Sequence, residues 1–289
     1  MNVIEIIKAL IFGIVEGITE WLPISSTGHM ILLNELIPLK ASPEFYDLFE
    51  VVIQLGAIMA VVMVFWKKIW PFGRRHNRYP AAEEGALAWV KLDRIQMWLK
   101  VIVACIPAAV VGILLDDVLD RYLHNWVCVA VMLILVGLAF LWVENRIADM
   151  EPRVTDLDGI TYRMALVIGV FQLVAAIFPG TSRSGATIVG ALLLGISRGV
   201  AVDFTFILAI PVMLGASLLK LIRFEGAITF GEYAVLFIGM LTAYIVSVNV
   251  IQALVSYVKS HDFKRFGWYR IGLGILVILF FVIRGLIAH

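Results

Sequence analysis

The chain has 289 residues, of which 62% are hydrophobic and 16% are charged, and its mean hydropathy is +0.97. This composition excludes an ordinary soluble domain, and a net charge of +1 without a basic run argues against a nucleic-acid partner. We therefore predict an all-α, polytopic membrane protein surrounded by membrane lipids, in which polar side chains at membrane depth are costly and mark candidate functional sites.

The first apolar segment, Val3 to Ile37, is interrupted near its middle by Pro23 among Ser, Thr and Gly residues. A second segment, Met164 to Leu194, is interrupted in the same way by Pro179. Backbone groups freed by such a break are tolerated at membrane depth only where protein or a water-filled cavity satisfies them. Each segment is thus predicted to be a re-entrant helical hairpin with its tip near mid-membrane.

Three stretches after each broken segment are long enough for a transmembrane helix, which needs about 20 residues. In chain order the six stretches are Phe49 to Trp66, Ile95 to Leu115, Trp126 to Val143, Phe204 to Ile222, Tyr233 to Val255 and Trp268 to Ile283. The two halves also align, with Gly13, Glu16 and Pro23 opposite Gly169, Gln172 and Pro179 at an offset of 156, and Leu55-Gly56-Ala57 opposite Leu214-Gly215-Ala216 at an offset of 159. An odd number of crossings per half predicts an inverted repeat, with repeat 1 at about 1–143, a linker at 144–163 and repeat 2 at about 164–289. The alternative is that any two Pro and Gly breaks in apolar helices look alike.

Positive charge is distributed unevenly between the two predicted faces of the membrane. The loops 67–94, 144–163 and 258–266 hold thirteen Lys and Arg residues, and the segments on the opposite side hold six. The positive-inside rule puts the richer loops in the cytoplasm and both termini outside. Arg74, Arg75 and Arg78 are interpreted as part of this topology signal. In the linker, Asp156 and Asp158 favour a solvated connector over a calcium site.

Glu16 and Glu20 are four residues apart, so they share one face of a helix just before the break at Pro23. Two carboxylates there could hold a divalent cation, which prefers hard oxygen ligands and bridges to phosphate. The alternative is a buried pair of like charges without compensation.

His29 is the only histidine inside a predicted membrane segment, and it follows four small residues, Ser25, Ser26, Thr27 and Gly28. A hydroxyl within reach of an imidazole is an arrangement that can activate a nucleophile and return a proton to a leaving group. The alternative is small-residue helix packing, which would explain Ser25, Thr27 and Gly28 but not His29.

Arg183 follows the second break and is flanked by Ser182 and Ser184, with Thr187 one turn later. A guanidinium matches a phosphate bidentately, and hydroxyls with the amides of a helix start would extend that cradle. The alternative is an internal salt bridge to Glu16 or Glu20, and both could hold at once. Glu50 and Gln54, at the start of the first crossing, are secondary polar candidates.

Four motifs together resemble those of undecaprenyl-pyrophosphate phosphatases, the bacitracin-resistance protein family, and the similarity spans essentially the whole chain. The motifs are Glu16-Gly-Ile-Thr-Glu20, Leu22-Pro-Ile-Ser-Ser-Thr-Gly-His29, Phe49-Glu-Val-Val-Ile-Gln-Leu-Gly56 and Pro179-Gly-Thr-Ser-Arg-Ser-Gly-Ala-Thr187.

The resemblance implies a bacterial plasma-membrane enzyme that removes the terminal phosphate of undecaprenyl pyrophosphate and so recycles the lipid carrier of cell-wall synthesis. It also implies a divalent cation, Mg or Ca, at Glu16 and Glu20, and catalytic roles for Ser26 and His29 as nucleophile and acid/base. The pyrophosphate would be held by Arg183 with residues of the same motif, namely Ser182, Ser184, Gly185 and Thr187.

Two other functions use similar motifs or a similar architecture. A type-2 phosphatidic-acid phosphatase needs a nucleophilic His after its Ser-Arg motif, and residues 184–202 contain none. A transporter or lipid flippase stays open, because inverted repeats with broken helices are common among transporters. The sequence leaves open whether the protein forms a homodimer.

Overall fold

A computed structural model describes residues 3–73, 77, 79–123 and 125–287, without the side chains of residues 86 and 113–121. Within these ranges the chain forms ten α-helices and one short 3-10 helix at Ala86–Trp89. The α-helices are α1 Val3–Thr19, α2 Ser26–Leu36, α3 Pro43–Ile69, α4 Leu92–Leu123, α5 Trp126–Arg146, α6 Tyr162–Ile177, α7 Arg183–Leu193, α8 Arg198–Arg223, α9 Phe230–Tyr257 and α10 Lys264–Ile287. The predicted all-α class is confirmed. Arg74, Arg75 and Arg78 of the predicted topology signal lie outside the described residues.

Among the described residues, six helices are long and apolar enough to cross a membrane, as predicted: α3, α4 over Leu92–Gly112, α5, α8, α9 and α10. Most of these helices are longer than the predicted apolar stretches. A helix ends where a capping residue binds its terminal backbone groups, and polar residues before that cap are still helical. Helix α3, for example, begins six residues before Phe49, at Pro43, behind the N-cap Ser42. Helix α5 likewise continues to Arg146, three residues past the predicted stretch that ends at Val143.

Both predicted breaks are real interruptions of a helix. Helix α1 ends at Thr19 and α2 begins at Ser26, whereas α6 ends at Ile177 and α7 begins at Arg183. The residues before α2 and α7 have positive φ values, 75° at Ser25 and 67° at Ser182. A left-handed serine costs on the order of 1–3 kcal/mol, so the surrounding structure has to hold both turns in place. The re-entrant path of these hairpins in a bilayer stays a prediction.

The two halves make equivalent helix contacts. The first helix of each half packs along the fourth helix of the other, α1 on α9 and α6 on α4, and α5 packs along α10. Gly13 and Gly169, which the alignment placed opposite each other, both lie against a backbone carbonyl of the partner helix. A Cβ would be 2.5 Å from the Gly239 oxygen at the first site and 2.3 Å from the Ala104 oxygen at the second. The repeat boundaries and the opposite orientation of the halves in a bilayer stay predictions.

The linker after α5 is held to both halves of the fold. Asp156 accepts a hydrogen bond of 2.7 Å from the amide of Gly159, which is a turn contact. Lys100 of α4 donates to the Asp158 carbonyl over 3.0 Å, and the Ser197 amide donates to the Val154 carbonyl over 2.8 Å. The connector therefore ties α4 to the N-cap of α8.

Candidate active site

The two helix breaks meet around one cavity of about 190 Å³. Residues from both halves line it, and most of them are polar: Glu20, Ser26, Thr27, Gln54, Ala175, Pro179, Gly180, Ser182, Arg183 and Met213. The sequence placed these motifs about 150 residues apart, and the fold brings them into contact. This cavity is the candidate active site.

Glu20 is the central side chain of the cavity. One of its carboxylate oxygens accepts a hydrogen bond of 2.7 Å from the Ser26 hydroxyl, and the other accepts one of 2.9 Å from the Arg183 guanidinium. The side chains of Arg183 and Glu20 are only 13% and 11% exposed, so their ion pair is largely shielded from solvent. Arg183 therefore forms the internal salt bridge to Glu20 that the sequence offered as an alternative, and this ion pair joins the two halves.

Both ring nitrogens of His29 contact groups other than the Ser26 hydroxyl, which itself donates to Glu20. The His29 Nδ1 lies 2.7 Å from the Ser25 carbonyl oxygen, and its Nε2 lies 2.7 Å from the Tyr269 hydroxyl. A carbonyl can only accept, so Nδ1 carries the proton and Nε2 accepts from Tyr269. The reason is that helical side chains lean toward the N-terminus, which carries the ring back over Ser25.

The starts of α2 and α7 form matching halves of the cavity wall. The Ser25 hydroxyl accepts from the Gly28 amide at 3.4 Å, and the Ser182 hydroxyl accepts from the Gly185 amide at 3.2 Å. Both helices therefore begin in the cavity, with Ser26 and Arg183 as their first residues. A helix start presents unpaired N–H groups and the positive end of the helix dipole, so two of them at one cavity favour an anion.

Ser184 and Thr187 lie behind the cavity wall. Ser184 is 1% exposed, and its hydroxyl is 3.1 Å from that of Ser182. The Thr187 hydroxyl donates to the Arg183 carbonyl over 2.9 Å and accepts from the Thr205 hydroxyl over 2.9 Å. These contacts fit a role for Thr187 in fixing the first turn of α7 beneath Arg183.

Glu16 is 1% exposed, and its Oε1 has no hydrogen-bond partner among the described residues. The Glu20 amide donates to the Glu16 carbonyl over 3.0 Å, so the α-helical spacing continues and the two carboxylates share a face. Among the described residues no cluster of three or more His, Cys, Asp or Glu is found. Mg²⁺ commonly takes one or two carboxylates and completes its shell with water and substrate phosphates. An orphaned buried carboxylate oxygen one turn from Glu20 therefore fits a divalent cation.

The two secondary candidates on α3 have different surroundings. Gln54 lines the cavity. Glu50 lies farther from it, hydrogen-bonded to Tyr46 and within electrostatic range of Glu16. Glu50 thus adds negative charge on the Glu16 side, which is the side where a cation would bind.

Arg270 was missed by sequence reasoning, although it is the most deeply buried cation near the breaks. It is 0% exposed and donates to the carbonyl of Pro23 over 3.2 Å. It also donates to the carbonyls of Gly180 and Thr181 over 2.8 and 2.9 Å. One guanidinium therefore binds the backbone of both breaks. An arginine inside the predicted span Trp268 to Ile283 was the available signal, because a charge at that depth is costly unless it has partners.

Comparison with known proteins gives one family and many relatives. The family model described as "Bacitracin resistance protein BacA" matches residues 9–276. The chain is 56% identical over 288 residues to the "Undecaprenyl-diphosphatase" of Desulfitobacterium hafniense, covering 100% of both chains. It is 54% identical over 283 residues to "Undecaprenyl-diphosphatase 1" of Clostridium acetobutylicum, covering 98% of this chain and 100% of the relative. It is also 54% identical over 279 residues to the Enterococcus faecalis "Undecaprenyl-diphosphatase", covering 96% and 98%.

Proposed function

The chain belongs to the bacitracin resistance protein BacA family, and we propose on this basis that it hydrolyses undecaprenyl pyrophosphate to undecaprenyl phosphate and inorganic phosphate. This activity recycles the lipid carrier of cell-wall synthesis and confers resistance to bacitracin. The relatives that carry the name of this phosphatase match the chain from end to end.

One structural observation supports the proposal most directly: two helix starts, a guanidinium and a hydroxyl–carboxylate pair share one cavity. The helix starts and Arg183 suit a pyrophosphate, which carries several negative charges on oxygen atoms that accept hydrogen bonds. The Ser26–Glu20 pair supplies a nucleophile next to a base. A lipid flippase would need the anion site but not this pair, so the alternative is not favoured.

The contacts suggest a role for each side chain in the reaction. Ser26 attacks the terminal phosphorus while its proton passes to Glu20; the new Ser26–phosphate bond forms as the bridging P–O bond breaks, and undecaprenyl phosphate leaves. The departing undecaprenyl phosphate takes up the proton from Glu20, which restores the base. Water then attacks the phosphoserine, one of its protons passes through Glu20 to the Ser26 oxygen, and inorganic phosphate leaves as the bond between Ser26 and phosphorus breaks. Arg183 stabilises the charge that develops on the transferred phosphoryl group.

His29 is assigned a different role from the one that the sequence suggested. With Nδ1 on the Ser25 carbonyl and Nε2 on Tyr269, it ties the first turn of α2 to α10. In this position it keeps Ser26 oriented toward Glu20 and belongs to the positioning groups of the site.

A divalent cation, Mg or Ca, would be held by Glu16 and Glu20. When bound, it would neutralise phosphate charge and polarise the P–O bond. Glu50 would add to the negative field that attracts it.

We further place the protein in the bacterial plasma membrane with both termini and the cavity mouth on the outer side. The excess of Lys and Arg in the loops 67–94, 144–163 and 258–266 supports this orientation. The pyrophosphate carrier is released where wall glycan is polymerised, so an outward cleft would receive it directly.

The test is phosphate release by the purified full-length protein in detergent with undecaprenyl pyrophosphate as substrate. Stoichiometric formation of undecaprenyl phosphate is expected. Binding of the lipid without any phosphate release, in the presence of Mg²⁺ or Ca²⁺, would instead favour a carrier protein.

A further inference from the structure

A second, larger cavity of about 550 Å³ lies away from the candidate active site. It is formed where α5 ends, α8 begins and α9 ends, by residues that include Arg146, Arg198 and Val258. All three helices are membrane-spanning by length and composition. The cavity therefore opens at the level where spans emerge from the bilayer, which is the level of the lipid headgroups.

The cavity lining carries a net positive charge. Its charged lining consists of four cations and one carboxylate, namely Arg146, Arg153, Arg198, Lys259 and Glu151. Behind the lining, Arg198 is held in place by the buried Glu144, with its Nε at 3.0 Å from a carboxylate oxygen. An anion that enters meets an excess of fixed positive charge.

The first turn of α8 adds backbone donors to this charge. Ser197 is the N-cap of α8, and among the described contacts its side chain caps no amide of the first turn. A Cβ on Gly199, the next residue but one, would meet nothing within 4 Å. The start of a 26-residue helix thus faces open space in the cavity, with donors available to an anion.

Apolar side chains form the rest of the wall. Met150 is 55% exposed and Leu193 is 39% exposed, and both line the cavity beside the cations. Nearby, the guanidinium of Arg146 lies 5.7 Å from the ring of Trp142, which is 56% exposed. Trp is typical of membrane interfaces. A mixed wall of this kind suits a phosphate that carries apolar chains better than a free phosphate ion.

We propose that this cavity binds the headgroup of an anionic phospholipid, with its phosphate between Arg153, Lys259 and the start of α8 and its glycerol and acyl chains along the apolar wall. Basic pockets between spanning helices are suited to such headgroups. The site is separate from the reaction cavity, so the proposal does not depend on the activity of the protein.

The experiment measures retention of dioleoylphosphatidylglycerol by the purified full-length protein with native mass spectrometry, against dioleoylphosphatidylcholine. We expect wild type to retain one phosphatidylglycerol about tenfold more tightly than phosphatidylcholine. Arg153→Gln with Lys259→Gln should remove this preference. The matched control is Arg163→Gln with Arg265→Gln, two exposed cations outside the cavity with the same change in charge.

Gly199→Leu tests whether the lipid occupies the cavity, because the leucine side chain would fill part of the cavity without changing its charge. Gly199→Leu should weaken phosphatidylglycerol retention as much as the double variant does. Thermal melting followed by circular dichroism checks that each variant is folded. Equal retention by the cavity and control variants, or equal retention of the two lipids by wild type, would overturn the proposal. Displacement of the lipid by an equal concentration of inorganic phosphate would overturn it in favour of a free-phosphate site.

Discussion

The hydroxyl of Ser26 lies 2.7 Å from a carboxylate oxygen of Glu20, and this contact joins the last turn before the first break to the first turn after it. Ser26→Ala and Glu20→Gln should each lower kcat by about 10²–10⁴-fold, because nucleophile and base act as one unit. The kcat of the double variant should lie within about threefold of that of the slower single variant. Phosphate release under saturating substrate measures all three.

His29→Gln keeps both the nucleophile Ser26 and the base Glu20 and removes only a group that positions them, so it serves as the comparison. We expect it to retain more activity than Ser26→Ala, and Tyr269→Phe should reproduce part of its loss. Near-normal turnover by Ser26→Ala would mean that a water molecule attacks directly, with Glu20 as its base. A His29→Gln defect as large as that of Ser26→Ala would return His29 to proton transfer.

Arg183→Lys is expected to behave as a severe substitution although the charge is kept. Lysine loses the planar fork that can reach Glu20 and a phosphate together, so kcat should fall by about 10²-fold. The control is Arg163→Lys, an exposed arginine at the start of α6. Activity within a few-fold of wild type would make Arg183 a structural counter-ion only.

Turnover should require a divalent cation and should stop in excess chelator. Glu16→Gln removes one proposed ligand, so the Mg²⁺ concentration for half-maximal activity should rise about tenfold or more. Glu35→Gln, which removes an exposed partner of Arg284, should leave that concentration unchanged. Full activity in chelator would remove the cation from the mechanism.

Arg270→Met should destabilise the fold by about 2 kcal/mol or more, because several buried carbonyls of the two breaks would lose their donor. Thermal unfolding in detergent, followed by circular dichroism, measures the change. Arg265→Met on the same helix is the matched control, since Arg265 is exposed. If both variants unfold at the same temperature as wild type, water satisfies these carbonyls without Arg270.

Orientation in the membrane is tested by single cysteines in a background from which the two native cysteines, Cys105 and Cys128, are removed. Ser42→Cys should react with an impermeant reagent in intact cells, whereas Ser260→Cys should react only after the membrane is opened. Both positions are exposed. Labelling of Ser260→Cys from outside would invert the topology and the direction of the cleft.

The sequence predicted the class, the six spans and the breaks, because these depend on local features: apolar length, and Pro and Gly within it. It also singled out the polar side chains that line the cavity, since such side chains are conspicuous in an apolar segment, but not Ala175 or Met213. The partners of these residues were harder to predict. The spacing of Ser26 and His29 put them on one helix face, but the left-handed turn at Ser25 points the serine toward Glu20.

Arg270 shows a second limit. Its position near the end of a predicted span is typical both of a buried arginine and of an arginine whose side chain reaches the lipid headgroups. No local sequence pattern distinguishes the buried arginine from the one at the headgroups. Only the packing of α10 against α5 and the breaks buries Arg270. Gly180 depends on the same packing, since its φ is +88° and a Cβ there would be 2.6 Å from the Val129 carbonyl oxygen.

The ion pair between Arg183 and Glu20 sets a threshold for entry into the cavity. A ligand gains the guanidinium only by competing with a carboxylate that is already bound at 2.9 Å. A phosphodiester, with one negative charge, offers little more than the carboxylate it would displace. A pyrophosphate that arrives with a cation would compensate both members of the pair at once, and this difference would favour the proposed pyrophosphate lipid over the phospholipids of the same membrane.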